Sequence, residues 1–194
     1  MVLTEIRWHG RGGQGVWTAS NLLADAAISE GKYAQSFPAF GPERMGAPIT
    51  AFTRISDEPI ELHCEIYEPD VVVVLDPTLL SYIDVLGGLK LGGKVVLNFK
   101  GRNYEELTKI LGSRLSNYRV YTVPATDIAV KVLGRGVTNT AMLGALIKVT
   151  PIVNLETLYN IIMKRFRESV ARRNIEVIRI AYRETEEVAR DERA

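Results

Sequence analysis

The sequence is short of thiols and imidazoles. In 194 residues it has one cysteine, Cys64, and two histidines, His9 and His63. One cysteine excludes an internal disulfide. It also excludes an iron–sulfur cluster held by this chain alone, because such clusters take four protein ligands, usually thiolates. A structural zinc site needs several Cys or His ligands. If Ile60–Ile66 is a strand, His63 and Cys64 point to opposite faces. The expectation is therefore no metal, with Cys64 a buried or half-buried thiol.

Long apolar runs are missing too. The longest purely apolar stretch is Val71–Leu75, whereas a membrane-spanning helix takes about 20 such residues. Glu5 and Arg7 interrupt the opening segment, which does not read as a secretory leader. A formal net charge of +1 gives no broad basic field for nucleic acid or an anionic membrane. The composition, 46% hydrophobic and 24% charged, is that of an ordinary globular protein. These readings predict one domain over residues 1–194, in the cytoplasm, with neither nucleic acid nor membrane as partner.

What the chain does have is alternation of strand-like and helix-like segments, the pattern of an α/β sheet. Strands are predicted at Leu3–His9, Tyr33–Phe37, Ile49–Ile55, Ile60–Ile66, Val71–Leu75, Lys94–Phe99 and Arg119–Val123. Helices are predicted at Gln14–Glu30, Pro77–Leu86 with Asp76 as its cap, Tyr104–Leu111, Ile128–Leu133, from Asn139 onward, and at Leu155–Phe166. Val71–Leu75 reads as a parallel strand buried on both faces. Ser169–Arg190 reads as a long amphipathic helix, with Val170, Asn174, Val177, Ile178, Ala181, Thr185 and Val188 on one face. Glu168 with Arg172, and Glu186 with Arg190, have the spacing of helical ion pairs. The fold class is a three-layer, Rossmann-like α/β domain with a mostly parallel sheet and a C-terminal amphipathic helix.

Gly10, Arg11, Gly12, Gly13, Gln14 and Gly15 lie between a strand and a helix, the setting in which a glycine-rich loop cradles phosphate. Glycines let backbone amides approach an anion, the helix start adds unpaired N–H groups, and Arg11 adds a charged donor. A nicotinamide dinucleotide site also requires an acid at the end of the second strand, to hold the ribose. Tyr33-Ala34-Gln35-Ser36-Phe37 contains none. That argues against NAD but leaves phosphate binding open, alongside a purely packing role for the glycines. The segment from Phe37 to Pro48 is rich in proline and glycine and carries Glu43 and Arg44. It follows the second strand, so it is expected on the same sheet edge as the glycine loop.

At these two loops the chain resembles the gamma subunit of pyruvate:ferredoxin oxidoreductase. The resemblance is carried by Glu5–Gly15, Gly31–Pro38, Phe40–Pro48, Pro69–Asp76, Ala125–Ala129 and Asn139–Ala145. It implies a share in a multi-subunit enzyme that converts a 2-oxoacid, coenzyme A and oxidised ferredoxin to acyl-CoA, carbon dioxide and reduced ferredoxin. It further implies that alpha, beta and delta-type partner subunits hold thiamine diphosphate with magnesium and the [4Fe-4S] clusters, while this chain handles coenzyme A and helps close the thiamine site. On this resemblance Gly10, Arg11, Gly12, Gly13, Gln14 and Gly15 are the cofactor-binding candidates, and Pro42, Glu43, Arg44 and Asn139 face the catalytic interface. No residue of this chain is assigned a catalytic role. Pyruvate is the expected substrate, with 2-oxoisovalerate, indolepyruvate or 2-oxoglutarate as alternatives. A stand-alone nucleotide-binding oxidoreductase and a purely structural subunit are the competing readings.

Overall fold

The computed structural model describes residues 3–39 and 45–189. Its centre is a seven-stranded sheet in the order β2-β3-β1-β4-β5-β6-β7. The strands are β1 (Leu3–Arg11), β2 (Tyr33–Pro38), β3 (Pro48–Ser56), β4 (Val71–Val74), β5 (Lys94–Asn98), β6 (Arg119–Val123) and β7 (Glu186–Glu187). β1, β4, β5 and β6 pair in parallel. β3 runs antiparallel between β1 and β2, and β7 closes the far edge antiparallel to β6.

Strand alternation divides the apolar side chains between two cores. Ile6, Trp8, Val71, Val73, Val96, Tyr121 and Val123 face a thick layer of helices. Those helices are α1 (Val16–Ser29), α3 (Ala125–Leu133), α4 (Asn139–Val149), α5 (Leu155–Arg165) and α6 (Glu168–Glu184). Val72, Val74, Val95, Leu97 and Val120 face a thinner layer. It is built from α2 (Tyr104–Leu111) and 3-10 turns at Pro77–Ser81 and Ser113–Asn117. Val71–Val74 is buried on both sides because both layers cover it.

The structure departs from the sequence-based expectation in four places. Ile60–Ile66 is irregular, not a strand; the Nε2 of Gln35 donates to Ile60 O, a single side-chain bond where a ladder was expected. The helix after Asp76 is only the 3-10 turn Pro77–Ser81, although Asp76 does cap it by accepting from Thr78 N at 2.9 Å. The C-terminal helix stops at Glu184. Thr185 bonds back to Ala181 O, and the chain turns into β7, so Val188 joins the core on the sheet's other face. Glu186 therefore pairs with Arg102 across the fold, and Arg190 lies outside the described residues. Finally, Cys64 is exposed. Its sulfur lies 3.7 Å from Nη2 of Arg54, a guanidinium only 1% exposed that also bonds Glu5 and Glu65 O. That arginine, the Gln35 bond and the backbone and side-chain bonds between Asp70 and Glu5, and not a ladder along residues 60–66, fasten the 57–70 segment to the sheet.

Candidate functional site

The chain leaves β1 towards β2 on one side and returns to β4 on the other. The carboxyl ends of β1 and β4 therefore border the crevice where open α/β sheets bind ligands. The glycine loop fills that position. β1 ends at Arg11, and Gly15 is the N-cap of α1 with a left-handed backbone (φ 77°). Gly13 is also left-handed (φ 92°), a conformation that excludes most side chains.

The glycines differ in their reasons. A Cβ on Gly10 would meet Val16 Cγ2 at 2.5 Å, and one on Gly15 would meet Asn139 Nδ2 at 2.5 Å. Those two are required by packing. A Cβ on Gly13 would touch nothing closer than Met45 at 3.7 Å, so this turn is open. No side chain caps α1 and no acid sits in its first turn. Its leading N–H groups and partial positive charge are thus not countered from within the helix.

Arg11 and Gln14 bridge the crevice. Gln14 Oε1 accepts from Arg11 N at 2.8 Å, and its Nε2 donates to Asp76 Oδ2 at 2.7 Å. Arg11 donates from Nε to Asp76 Oδ2 (3.1 Å), from Nη2 to Thr78 Oγ1 (2.8 Å) and from Nη1 to Gly46 O (3.0 Å). Tyr82 lies under the guanidinium, 5.6 Å from ring centre to Cζ. Burial pushes the Asp76 carboxyl up, but bonds from Thr78 and Gln14 and the charge of Arg11 outweigh it, so its pKa falls below the usual carboxylate value. Asp76 and Thr78 were missed as site residues by sequence reasoning, which gave Asp76 a capping role only. Its place directly after a buried parallel strand was the available signal.

The 45–48 segment lies on the same edge, as the sequence suggested. Gly12 N bonds Ala47 O at 2.9 Å, and Gly46 N bonds Gly12 O at 3.1 Å. Asn139 reaches the loop from α4; it is 7% exposed, packs on Gly15 and accepts from Thr140 N. Pro42, Glu43 and Arg44 lie outside the described residues.

Below the loop, His9 is buried. Its Nε2 accepts from Arg7 Nε at 3.1 Å, so that nitrogen carries no proton. Burial, then the neighbouring Arg7 charge, push the imidazole pKa down to about 3. A second cleft, about 520 Å³, opens at the ends of β5 and β6. Its walls carry the ion pairs Lys100–Asp127 and Arg102–Glu186, which leave little net field. Among the described residues no three His, Cys, Asp or Glu side chains converge to hold a metal. No described helix is long and apolar enough to cross a membrane.

The strand beside β1 that would present a ribose-binding acid is β3, which runs antiparallel. Its carboxyl end is at the opposite edge of the sheet. Fold and loop thus define a Rossmann-like domain with a glycine turn at the switch point and, among the described residues, no acid at the end of β2 to hold a nicotinamide ribose. More particularly, the chain belongs to the pyruvate ferredoxin/flavodoxin oxidoreductase family, whose model matches residues 5–184. It is 49% identical over 183 residues to the pyruvate/ketoisovalerate oxidoreductases common subunit gamma of Thermococcus litoralis, covering 94% of this chain and 97% of that one. It is 48% identical over 180 residues to pyruvate synthase subunit PorC of Methanothermobacter marburgensis, covering 93% and 96%. The crystal structure of pyruvate oxidoreductase subunit PORC from Thermotoga maritima superposes with a TM-score of 0.86 at 43% identity, covering 97% of this chain and all of that one.

Proposed function

We propose that this chain is the gamma subunit of a 2-oxoacid:ferredoxin oxidoreductase acting on pyruvate, and that its glycine loop receives the pyrophosphate of coenzyme A. The overall reaction takes pyruvate, coenzyme A and two oxidised ferredoxins to acetyl-CoA, carbon dioxide, a proton and two reduced ferredoxins. Thiamine diphosphate with magnesium and the [4Fe-4S] clusters belong to alpha, beta and delta-type partner chains, since a single cysteine cannot hold a cluster. The subunit reading rests on the named relatives. A 2-oxoisovalerate enzyme is the second reading, favoured by the relative that serves pyruvate and ketoisovalerate enzymes in common.

The observation that carries the coenzyme A assignment is the uncapped, acid-free start of α1 behind the open turn at Gly13. An anion there meets backbone N–H groups and the positive end of the helix. Arg11 engages three of its five N–H groups internally, which leaves two for a phosphate oxygen. Asn139 and the loop carrying Pro42, Glu43 and Arg44 then face the thiamine site across the interface.

The test is coenzyme A titration onto the assembled complex with wild-type chain or with Gly13→Asp. A carboxylate placed in the turn repels the pyrophosphate, and affinity is expected to drop at least about ten-fold, a loss of about 1.4 kcal/mol. Equal affinity in a folded, assembled variant sinks the phosphate-loop reading and leaves the glycines a packing role.

A further inference from the structure

The most concentrated positive charge on the chain lies far along the sequence from the glycine loop. Lys164, Arg165, Arg167, Arg172 and Arg173 put five cations, with Glu168 the only acid, into ten residues. This stretch carries +4 on a chain whose total is +1, so the remaining 184 residues sum to −3. All five cationic side chains are exposed. Among the described residues, only Arg172 of the five has an ion-pair partner, Glu168.

The corner that presents them is anchored in the core. α5 ends at Arg165 and α6 begins at Glu168. Between them Phe166 packs on the core, and one turn later Ala171 is fully buried.

Helix energetics accounts for only two of these five cations. Lys164 and Arg165 suit the C-terminal end of α5. Arg167 is the N-cap of α6 without a capping bond, and Arg172 and Arg173 follow in its second turn. Folding alone favours Ser, Thr or Asp at that cap and acids in the first turn. Places where a sequence breaks a local folding rule are places to look for function. Exposed apolar side chains lie among the charges: Met163, Val170 and, on α1, Ile28. A shallow groove of about 350 Å³, lined by Asp25, Ile28, Ile161, Lys164 and Arg165, runs beside them.

We infer that the α5–α6 corner is a docking surface for an acidic face of another subunit of the same oxidoreductase. The inference rests on the subunit reading above and is independent of the coenzyme A assignment. A protein face suits the patch better than nucleic acid does. The basic region is a compact corner on an otherwise net-acidic chain, not a continuous track. Its interleaved Met, Val and Ile match the mixed apolar and charged anatomy of protein interfaces.

The experiment adds full-length chain to the complex prepared without it and follows association at low and high salt. The variant is Lys164→Glu/Arg165→Glu/Arg167→Glu/Arg173→Glu, with the four-fold Gln variant as a neutral control. Neither removes an ion pair among the described residues; acids favour the start of α6 but oppose the C-terminal end of α5, and the two effects offset, so melting temperatures are expected to stay near wild type. The Glu variant is expected to associate about ten-fold or more slowly at ~50 mM salt, the Gln variant to fall between, and all three to converge near ~0.5 M. Equal rates and salt slopes overturn the inference. So does wild-type chain that binds duplex DNA more tightly than the complex and loses that binding in the Glu variant. Wild-type chain that never associates with the complex at any salt refutes the subunit reading and this one together. Normal coenzyme A binding in an assembling Glu variant leaves the glycine-loop reading standing.

Discussion

The two faces of the sheet are stabilised differently, and β1 shows both. Ile6 and Trp8 point into the thick helical face, where the core is apolar and the polar groups around Trp8 are paired. Trp8 Nε1 donates to Thr53 Oγ1 at 2.9 Å, and Ser20 Oγ lies within hydrogen-bond distance of both Thr53 Oγ1 and Phe52 O. Arg7 and His9 point into the thin face. There Arg7 donates to His9, Val85 O and Gly87 O and so ties the irregular crossover to the sheet. Helices can cover a sheet face by shape alone. A crossover made of turns leaves carbonyls that need donors, and a half-buried arginine supplies them. The thick face should therefore fail when volume changes, and the thin face when protonation changes.

The sharpest way to break the contrast is acid. His9 has its pKa pushed down to about 3 in the fold, against about 6.5 for a free imidazole. Between those values the unfolded chain binds the proton and the folded chain does not. This contribution is intact above about pH 6.5, falls as pH drops, and is gone near pH 3. The slope approaches about 1.4 kcal/mol per pH unit mid-window, for a total on the order of 5 kcal/mol. Asp76, whose pKa is lowered, adds to the loss below the usual carboxylate value. Urea unfolding from pH 7 to pH 4 should show the slope, and His9→Gln should flatten it. An unchanged slope in His9→Gln would place the acid sensitivity elsewhere.

The matching break on the thick face is Gly144→Ala. A Cβ there collides with the backbone oxygen of Ile178, where α4 and α6 touch. Overpacking of this kind costs about 2–3 kcal/mol, after the helix preference for Ala offsets part of it. The loss should be the same at pH 7 and pH 5. A pH-dependent loss would mean that the two faces are coupled.

A smaller effect is expected where the faces meet. Asp76→Asn keeps the size but removes the charge that Arg11 and the Gln14 amide share. Destabilisation of about 1–2 kcal/mol is expected, the range for a hydrogen bond to a charged group. If Arg11 is then freer to reach phosphate, coenzyme A binding is retained while stability falls. Loss of both would show that Asp76 holds the loop in its binding shape.

Much of this was legible beforehand, for identifiable reasons. Val71–Leu75 could be read as a buried parallel strand because a run without polar residues has no solvent face. The glycine loop could be read because strand, turn and helix are contiguous in sequence, and Asp76 as a cap because the bond to Thr78 N is local. The misreadings are non-local. Whether Ile60–Ile66 pairs depends on Arg54, a buried cation from another strand. Where the C-terminal helix stops depends on the free edge of β6, which captures Glu186 and Glu187. The crossing of Arg11 and Gln14 to Asp76 spans more than 60 residues of chain and has no periodicity to announce it.

The smallest effect tests the surface of the thick face, where neither packing nor burial acts. Glu168 and Arg172 sit four apart on α6 with Nη2 2.7 Å from Oε1, both well exposed. Water screens such a pair, and ordering two long side chains offsets much of the attraction, so the pair itself is worth only about 0.3–0.5 kcal/mol. Glu168 is also the sole acid in the first turn of α6, where a negative charge faces the positive end of the helix. Glu168→Gln should therefore cost more than Arg172→Gln, by a few tenths of a kcal/mol, and high salt should shrink the difference. A larger penalty for Arg172→Gln would mean that the arginine is held by more than Glu168, and the cationic corner would then be part of the folded scaffold and not a surface kept free for a partner.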